Sequence, residues 1–389
     1  MHARILMPTN NYSYFIFGPR GSGKTFLLRN LPDIRNALWI DLLNAEEESI
    51  FEAHPGELLD RTKNLPQNSR VVIDEVQKAP KLLDLVHKLI EENKLLFSLS
   101  GSSARKLKRG AANLLAGRAF IYHLFPFSFL EVPDFDLTAS LEWGMLPKIR
   151  EFSALDDRKN FLKAYAHTYL QEEIKAEQIV RNLPAFRRFL EVAAQMNGQP
   201  INCSKIGRDI HADHTVVRNF YEILEDTLVG FHLPAYDLSV RRQLRKAPKF
   251  YLFDPGVKRA LDKTLDIPLQ PQTHEFGKAF EHFLVLEFFK LSHYRNRDES
   301  LFYLQTKNGV EIDLVMTRPG RSTLFIEIKS TTNIGKEDAT PLREIAASLP
   351  DAQTFLLSRD PHAKAFDRVQ ACYWEDFLRR YFEDQLTAG

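Results

Sequence analysis

The sequence predicts an α/β fold in its first part, a helical segment in the middle and an α+β domain at the end. Three observations carry this. Short apolar runs (Tyr14 to Phe17, Leu38 to Leu42, Val71 to Ile73, Leu95 to Ser100) alternate with helical stretches, the pattern of a parallel sheet covered on both faces. From about Asp156 the strands give way to helical spacing, as at Phe161, Tyr165, Thr168 and Tyr169. Past Ile267-Pro268-Leu269-Gln270-Pro271, an apolar helix from Phe276 to Leu291 precedes two alternating strands, Glu311 to Met316 and Leu324 to Ser330. The boundaries drawn on this pattern are 1–155, 156–265 and 266–389.

Between the first strand and a helix beginning near Phe26 lies Gly18-Pro19-Arg20-Gly21-Ser22-Gly23-Lys24-Thr25, the spacing of a phosphate-binding loop. Gly18 and Gly23 permit backbone angles and close approaches that a Cβ blocks. Such a loop turns successive N–H groups toward an anion, and the next helix adds its positive end. Lys24 supplies a cation for the β- and γ-phosphates of ATP, and the Thr25 hydroxyl a ligand for Mg²⁺.

Further along, Glu57 to Lys63 and Lys81 to Glu92 read as helices, the second with apolar residues at Leu82, Leu85, Val86, Leu89 and Ile90. The third strand ends in Asp74-Glu75, and ligands of open α/β sheets sit at the carboxyl ends of the strands. There Asp74 is placed to hold Mg²⁺ and Glu75 to orient and activate a water. The fourth strand runs into Ser100-Gly101-Ser102-Ser103. Ser100 and Ser102 are candidates for touching the γ-phosphate, with an ordinary turn as the alternative.

The 389 residues imply two or three domains, and 44% hydrophobic with 26% charged content is that of a soluble globular protein. A net charge of +1 confines any nucleic-acid surface to a local patch. Two distant cysteines, Cys203 and Cys372, argue for a reducing compartment and against a disulfide framework. With the first strand close to the amino end and no apolar run of spanning length, the expectation is a cytoplasmic protein without a signal peptide or membrane contact.

The phosphate loop, Val72-Ile73-Asp74-Glu75-Val76-Gln77-Lys78, the Ser100-Gly101-Ser102-Ser103-Ala104-Arg105 stretch, Gly117-Arg118, and Phe125-Pro126-Phe127-Ser128-Phe129 with Glu131 resemble a widespread family of prokaryotic AAA+-type ATPases. The likeness covers nearly the whole chain, including Lys249 to Gly256. It implies a P-loop AAA+-type parallel-sheet core joined to a C-terminal domain of unknown function with a restriction-endonuclease-like fold. In such ATPases an arginine at a subunit edge can complete a neighbour's site. Arg118 is the nominee, which would make the protein a homo-oligomer; a solvated or ion-paired arginine is the alternative. No helical lid with a sensor arginine follows the core, which departs from the usual ring-forming pattern.

In the middle segment Glu172 and Glu173 are expected to face outward, and Pro184 opens a helix over 185–196 that ends at Asn197-Gly198. Cys203 to Ile210, a turn at 211–213 and His214 to Asp226 then read as a helix-turn-helix. Asp213 or Thr215 is its cap, and Gly230 to Pro234 the start of a wing. A DNA-reading version would put His214, Thr215, Arg218 and Asn219 at the groove edge, and Arg241, Arg242, Arg245, Lys246 and Lys249 on phosphates. A winged helix used only for packing is the alternative.

On the late strands, Asp313 shares a face with Glu311, and Glu327 with Lys329, because side chains two apart point the same way. Asp313 and Glu327 suit Mg²⁺, Lys329 stands beside them, and Glu281 on the preceding helix can complete the set. The constellation resembles the restriction-endonuclease-like nuclease superfamily. The expected activity is Mg²⁺-dependent ATP hydrolysis driving a DNA- or RNA-related or partner-switching task, with a metal-dependent nuclease domain. The alternative is an ATP-dependent switch whose last domain only binds a partner or DNA. Helices covering that sheet are expected at 339–349 and 373–381.

Overall fold

The computed structural model describes residues 3–102, 115, 117–169, 183–237, 239, 243, 246–306, 309–349 and 351–383. It divides into two compact units. One comprises Met1–Phe127, Leu146–Lys148 and Glu222–Val229; the other comprises Ser128–Met145, Ile149–Tyr221 and Gly230–Gly389.

The first unit is built on β1 (Ser13–Phe17), α1 (Lys24–Asn30), β2 (Leu38–Asp41), α2 (Ala45–Ala53), α3 (Glu57–Thr62), β3 (Arg70–Asp74), α4 (Leu82–Asn93), β4 (Leu96–Gly101) and β5 (Ala119–His123). The five strands are all parallel, in the order β2-β3-β4-β1-β5. Every residue of β1 and β3 is buried, which is why both read as unbroken apolar runs. Phe15, Phe17, Ile40, Phe51, Leu58, Ile73, Val86 and Phe97 belong to one core. The sequence reading lacked α2 and β5. Acids Glu46 to Glu48 disguise α2, although Asn44 caps it by accepting from Glu46 N at 2.9 Å. β5 is an edge strand with Phe120 and Ile121 exposed, so its apolar pattern is incomplete.

Register decides what the sheet brings together. Phe17 pairs with Gly101 across β1 and β4, and Ile73 with Leu99 across β3 and β4. The residues that follow β1, β3 and β4 therefore gather at one carboxyl edge.

In the second unit α5 (Leu137–Trp143) and α6 (Leu155–Ala164) precede a π-helical turn at Tyr165–Tyr169. Next come α7 (Leu183–Gln195), α8 (Cys203–Ile210), α9 (His214–Asp226, whose residues from Glu222 onward group with the first unit), and the antiparallel pair β6 (Gly230–Leu233) and β7 (Lys249–Leu252). Phe186, Phe189, Phe220 and Tyr221 meet edge-on or tilted at 4.8–5.8 Å between α7 and α9. Asn202 caps α8 and Asp213 Oδ1 accepts from Thr215 N, so α8 and α9 begin where the polar residues place them. Glu172 and Glu173 lie outside the described residues.

After α10 (Pro255–Leu261) comes α11 (His274–Tyr294), which is buried nearly all round through Phe280, Phe283, Leu284, Val285, Leu286 and Phe288. Among its buried polar residues, His282 and Glu287 both have partners. His282 Nε2 donates to Leu252 O at 2.6 Å, and burial pushes the ring's pKa down to about 3, so it is neutral. Glu287 Oε2 accepts from Ser128 Oγ at 2.5 Å and Phe129 N at 3.2 Å, while Oε1 pairs with Lys290 at 2.5 Å.

The last sheet contains β8 (Ser300–Gln305), β9 (Glu311–Arg318), β10 (Arg321–Lys329), β11 (Gln353–Ser358), β12 (Lys364–Phe366) and β13 (Val369–Tyr373), in the order β12-β13-β11-β10-β9-β8. It is mixed: β9 and β10 form an antiparallel pair, whereas β10, β11 and β13 run parallel. Helices α12 (Thr340–Ser348) and α13 (Trp374–Phe382) stand within a residue or so of their expected bounds. Among the described residues no helix is long and apolar enough to cross a membrane.

Candidate nucleotide site and a buried carboxylate cluster

The loop after β1 has no room for a side chain at its first position. A Cβ on Gly18 would stand 2.1 Å from Leu124 O and 2.9 Å from Ser22 Oγ. Gly23, at φ +95°, occupies the left-handed region that favours glycine. Lys24 is buried and turned back on the loop, its Nζ donating to Gly18 O at 2.8 Å and Pro19 O at 3.4 Å. Arg20 lies at the exposed corner of the loop beside Gly21. Ser22 Oγ is buried and, among the described residues, has no hydrogen-bond partner.

Asp74 is fully buried at the end of β3. Its Oδ2 accepts from Thr25 Oγ1 at 2.7 Å and its Oδ1 from Ser100 Oγ. Glu75 leaves the strand at φ +59°, a left-handed angle uncommon for a non-glycine residue, and Glu75 N donates to Ser100 Oγ at 3.1 Å. Its Oε1 lies 3.9 Å from Lys24 Nζ. Strain of this kind concentrates at functional positions.

Gln77 was not singled out from the sequence. Its Nε2 donates to Glu75 Oε2 and, at 3.2 Å, to Ser102 Oγ, while its Oε1 has no partner among the described residues. Ser102 thus faces Gln77, and Ser100 faces Asp74. The one signal available was position: Gln77 follows the acids on the same short turn. Arg118 is half-exposed and ion-paired through Nε with Glu91 of α4. Ser103 lies outside the described residues.

A buried Ser22 hydroxyl without a hydrogen-bond partner among the described residues, an ammonium hydrogen-bonded to loop carbonyls, and a hydroxyl–carboxylate pair at Thr25 and Asp74 fit a magnesium nucleotide. The cation would find Thr25 and Asp74 as oxygen donors. Mg²⁺ commonly takes one or two protein ligands and keeps phosphate and water for the rest.

The late-strand acids converge on a second place. Asp313 Oδ2 accepts from Ile328 N at 2.8 Å, tying β9 to β10. Glu327, 4% exposed, pairs through Oε1 with Lys329 Nζ at 2.7 Å, and its Oε2 is buried without a hydrogen-bond partner among the described residues. Burial, then the neighbouring Glu327 and Glu281, hold Asp313 well above the usual carboxylate range. Burial raises Glu327 as well, against the pull of Lys329. Burial would lower Lys329, but Glu327 and Asp313 more than offset it and its pKa is raised.

Two participants from β7 were missed. Lys249, 2% exposed, brings Nζ to 2.6 Å from Glu311 Oε1 and 3.8 Å from Glu281 Oε1. Tyr251 OH donates to Glu281 Oε1 at 2.7 Å. This corrects the assignment of Lys249 to a phosphate-binding run, because a buried ammonium engaged by carboxylates faces no external backbone. Lys246 is 3.4 Å from Asp237, and Arg241, Arg242 and Arg245 lie outside the described residues. Glu281, nominated to complete a metal shell, has its Oε1 engaged by Tyr251. Among the described residues no three His, Cys, Asp or Glu side chains stand close enough together to hold a metal by themselves. The orphaned Oε2 of Glu327 beside Asp313 still fits a cation that draws its other ligands from water or substrate.

On α9, His214, Thr215, Arg218 and Asn219 are exposed while Val217 and Phe220 are buried. His214 Nδ1 lies 3.4 Å from Asp213 Oδ1.

In the first unit the loop Gly18 to Thr25 joins β1 to α1 of a five-stranded parallel sheet, an arrangement that fits a P-loop α/β fold, and residues 10–133 match the model of an AAA domain. Residues 134–268 match a domain of unknown function (DUF8612), and residues 276–377 another (DUF4143). In particular, the chain is similar to an uncharacterized protein of Mycobacterium tuberculosis, 27% identical over 326 residues (81% of this chain, 69% of that protein). It is also similar to one of Haemophilus influenzae, 20% identical over 327 residues (77% and 75%). Among solved structures, the Aeropyrum pernix ORC2 protein in its ADP form is 14% identical and has a TM-score of 0.33, covering 66% of this chain and 89% of that one. The Aeropyrum pernix ORC1 protein in complex with DNA is 13% identical at a TM-score of 0.29, covering 65% and 86%.

Proposed function

We propose that the chain hydrolyses ATP and uses the hydrolysis to control its later domains. The carrying observation is the gathering of Lys24, the Thr25–Asp74 pair and Glu75 at one sheet edge. Lys24 exchanges the carbonyls of Gly18 and Pro19 for β- and γ-phosphate oxygens. The loop from Gly18 to Gly23 wraps the phosphates, with Ser22 Oγ available as a donor. Thr25 and Asp74 would hold Mg²⁺, which when bound neutralises charge on the phosphates. Glu75 orients a water and takes its proton, and Gln77 and Ser102 position that carboxylate. Arg118 serves a neighbouring copy only after release from Glu91.

The test is purified protein with radiolabelled ATP, Mg²⁺ and mixed DNA and RNA, following phosphate release and strand scission together. Lys24→Ala is expected to abolish binding and release. Retention of both by that variant refutes the assignment.

For the last domain, the juxtaposition of Asp313, Glu327 and Lys329 favours a metal-dependent phosphodiesterase of the restriction-endonuclease-like kind. Asp313 and Glu327 would hold the metal and Lys329 would orient the attacking water. The exposed face of α9 supports DNA as the polymer contacted, in winged-helix fashion. The second reading is a switch that binds DNA or a partner without cutting. Binding with a steep salt dependence and no scission selects it.

A further inference from the structure

We propose that Lys249 is the resident counter-ion of the carboxylate cluster, holding among Glu281 and Glu311 a position that a divalent cation would otherwise take. The cluster collects four carboxylates, Glu281, Glu311, Asp313 and Glu327, around two ammonium groups, Lys249 and Lys329. The lysines differ in setting. Lys329 lies next but one to Glu327 on β10 and is about one-third exposed, whereas Lys249 is fixed on β7 with its stem buried.

Three observations place its charge. Nζ is 2.6 Å from Glu311 Oε1 and 3.8 Å from Glu281 Oε1, so it bridges a helix carboxylate and a strand carboxylate. It also lies 5.1 Å from the centre of the Tyr303 ring, a further cation-stabilising contact. Tyr251, two residues along the same strand face, donates to Glu281 and keeps that carboxylate turned toward Lys249. The orphaned Oε2 of Glu327 shows that two lysines do not satisfy the cluster, which still has oxygen to offer a cation.

A hard divalent cation and an ammonium compete for the same oxygens, and a fixed ammonium carries no entropic cost of arrival. Lys249 therefore limits metal occupancy to the Asp313–Glu327 side and weakens it through like-charge repulsion. This inference concerns the cluster described above and stands whether or not the domain cuts nucleic acid.

The test is Mn²⁺ titration of the full chain by calorimetry, without nucleotide, in wild type, Lys249→Gln and the Lys249→Gln/Asp313→Asn double variant. Lys249→Gln is expected to bind Mn²⁺ at least about tenfold more tightly than wild type, about 1.4 kcal/mol. The double variant is expected to lose that gain, which separates the cluster from the Thr25–Asp74 site. If Lys249→Gln does not fold in chelator, Mn²⁺ is expected to restore its far-ultraviolet circular dichroism. Unchanged or weaker Mn²⁺ binding by folded Lys249→Gln, a gain that survives Asp313→Asn, or failure of Mn²⁺ to rescue an unfolded variant each overturns the proposal. Failure of the nuclease reading shows elsewhere, as absence of scission by a wild type whose Mn²⁺ behaviour is as stated.

Discussion

Replacing Gly18 by alanine adds one methyl group and removes no functional atom, so it isolates the geometry of the phosphate loop. The new carbon would lie 2.1 Å from Leu124 O, where ordinary contact begins near 3.4 Å, so a gap of roughly 1.3 Å has to open. The obstacle is main chain and cannot rotate away. Leu124 is fully buried, and its N–H is itself bonded to Phe17 O at 2.7 Å. The loop is the part that shifts, carrying Ser22 and Lys24 with it. Overpacking of this size costs about 1–3 kcal/mol, and a catalytic group misplaced by about 1 Å loses on the order of 10² in rate. Gly18→Ala should therefore keep its circular dichroism but lose about two orders of magnitude in phosphate release, with labelled-ATP affinity falling about tenfold or more. Gly56→Ala, where an added Cβ meets nothing within 4 Å, should match wild type in the same assays. Turnover by Gly18→Ala within twofold of wild type would show that the loop near Leu124 does not grip the substrate.

Other outcomes follow from the same contacts. Glu75→Gln should bind ATP normally while phosphate release falls by about 10²–10⁴, as loss of a general base does; equal turnover would remove Glu75 from the reaction. Gln77→Ala should lower kcat about tenfold with ATP binding unchanged. An unchanged kcat in that variant would contradict the positioning role. Asp313→Ala should remove any Mg²⁺-dependent scission and leave ATP hydrolysis intact, and parallel loss of both would point to general unfolding. Asp360 is held below the usual carboxylate range by Lys364 at 2.7 Å, with Ile334 N and His362 N also donating to it. Because the folded-state pKa is depressed, this contribution is present above the ordinary carboxylate value near 4 and is lost as pH falls through the folded one. Asp360→Asn should flatten the acid limb of denaturant stability plotted against pH; an unaltered slope would contradict the linkage.

Legibility of the chain divides by how far apart partners are along it. The stretch from Gly18 to Thr25 is contiguous, and Asp74 and Glu75 stand out as charge at the end of an apolar strand, so both could be read directly. Gln77 could not, because its meaning depends on Ser102, just past the end of β4, and on the turned-out backbone of Glu75. Lys249 and Tyr251 were hidden for the same reason. Their acids lie about thirty residues or more downstream, and on the sequence Lys249 merges with the basic residues ahead of it. Among the unread strands, β11 and β13 pair in parallel across intervening segments, where no tight turn announces the partner. The π-helical turn after α6 likewise has no sequence mark that distinguishes it from ordinary helix.

One consequence of β7 reaches beyond catalysis. His282 of α11 donates to the backbone of this strand, Glu281 of α11 accepts from its Tyr251, and Glu311 of β9 pairs with its Lys249. The strand precedes the stretch that matches the second domain of unknown function, yet it supplies that stretch with a wall and a charge. A gene fragment starting at codon 270 would encode an acidic hollow missing its stopper, so the carboxyl-terminal portion is not a cassette to be shuffled alone. Any chain that inherits it intact has to bring β7 along.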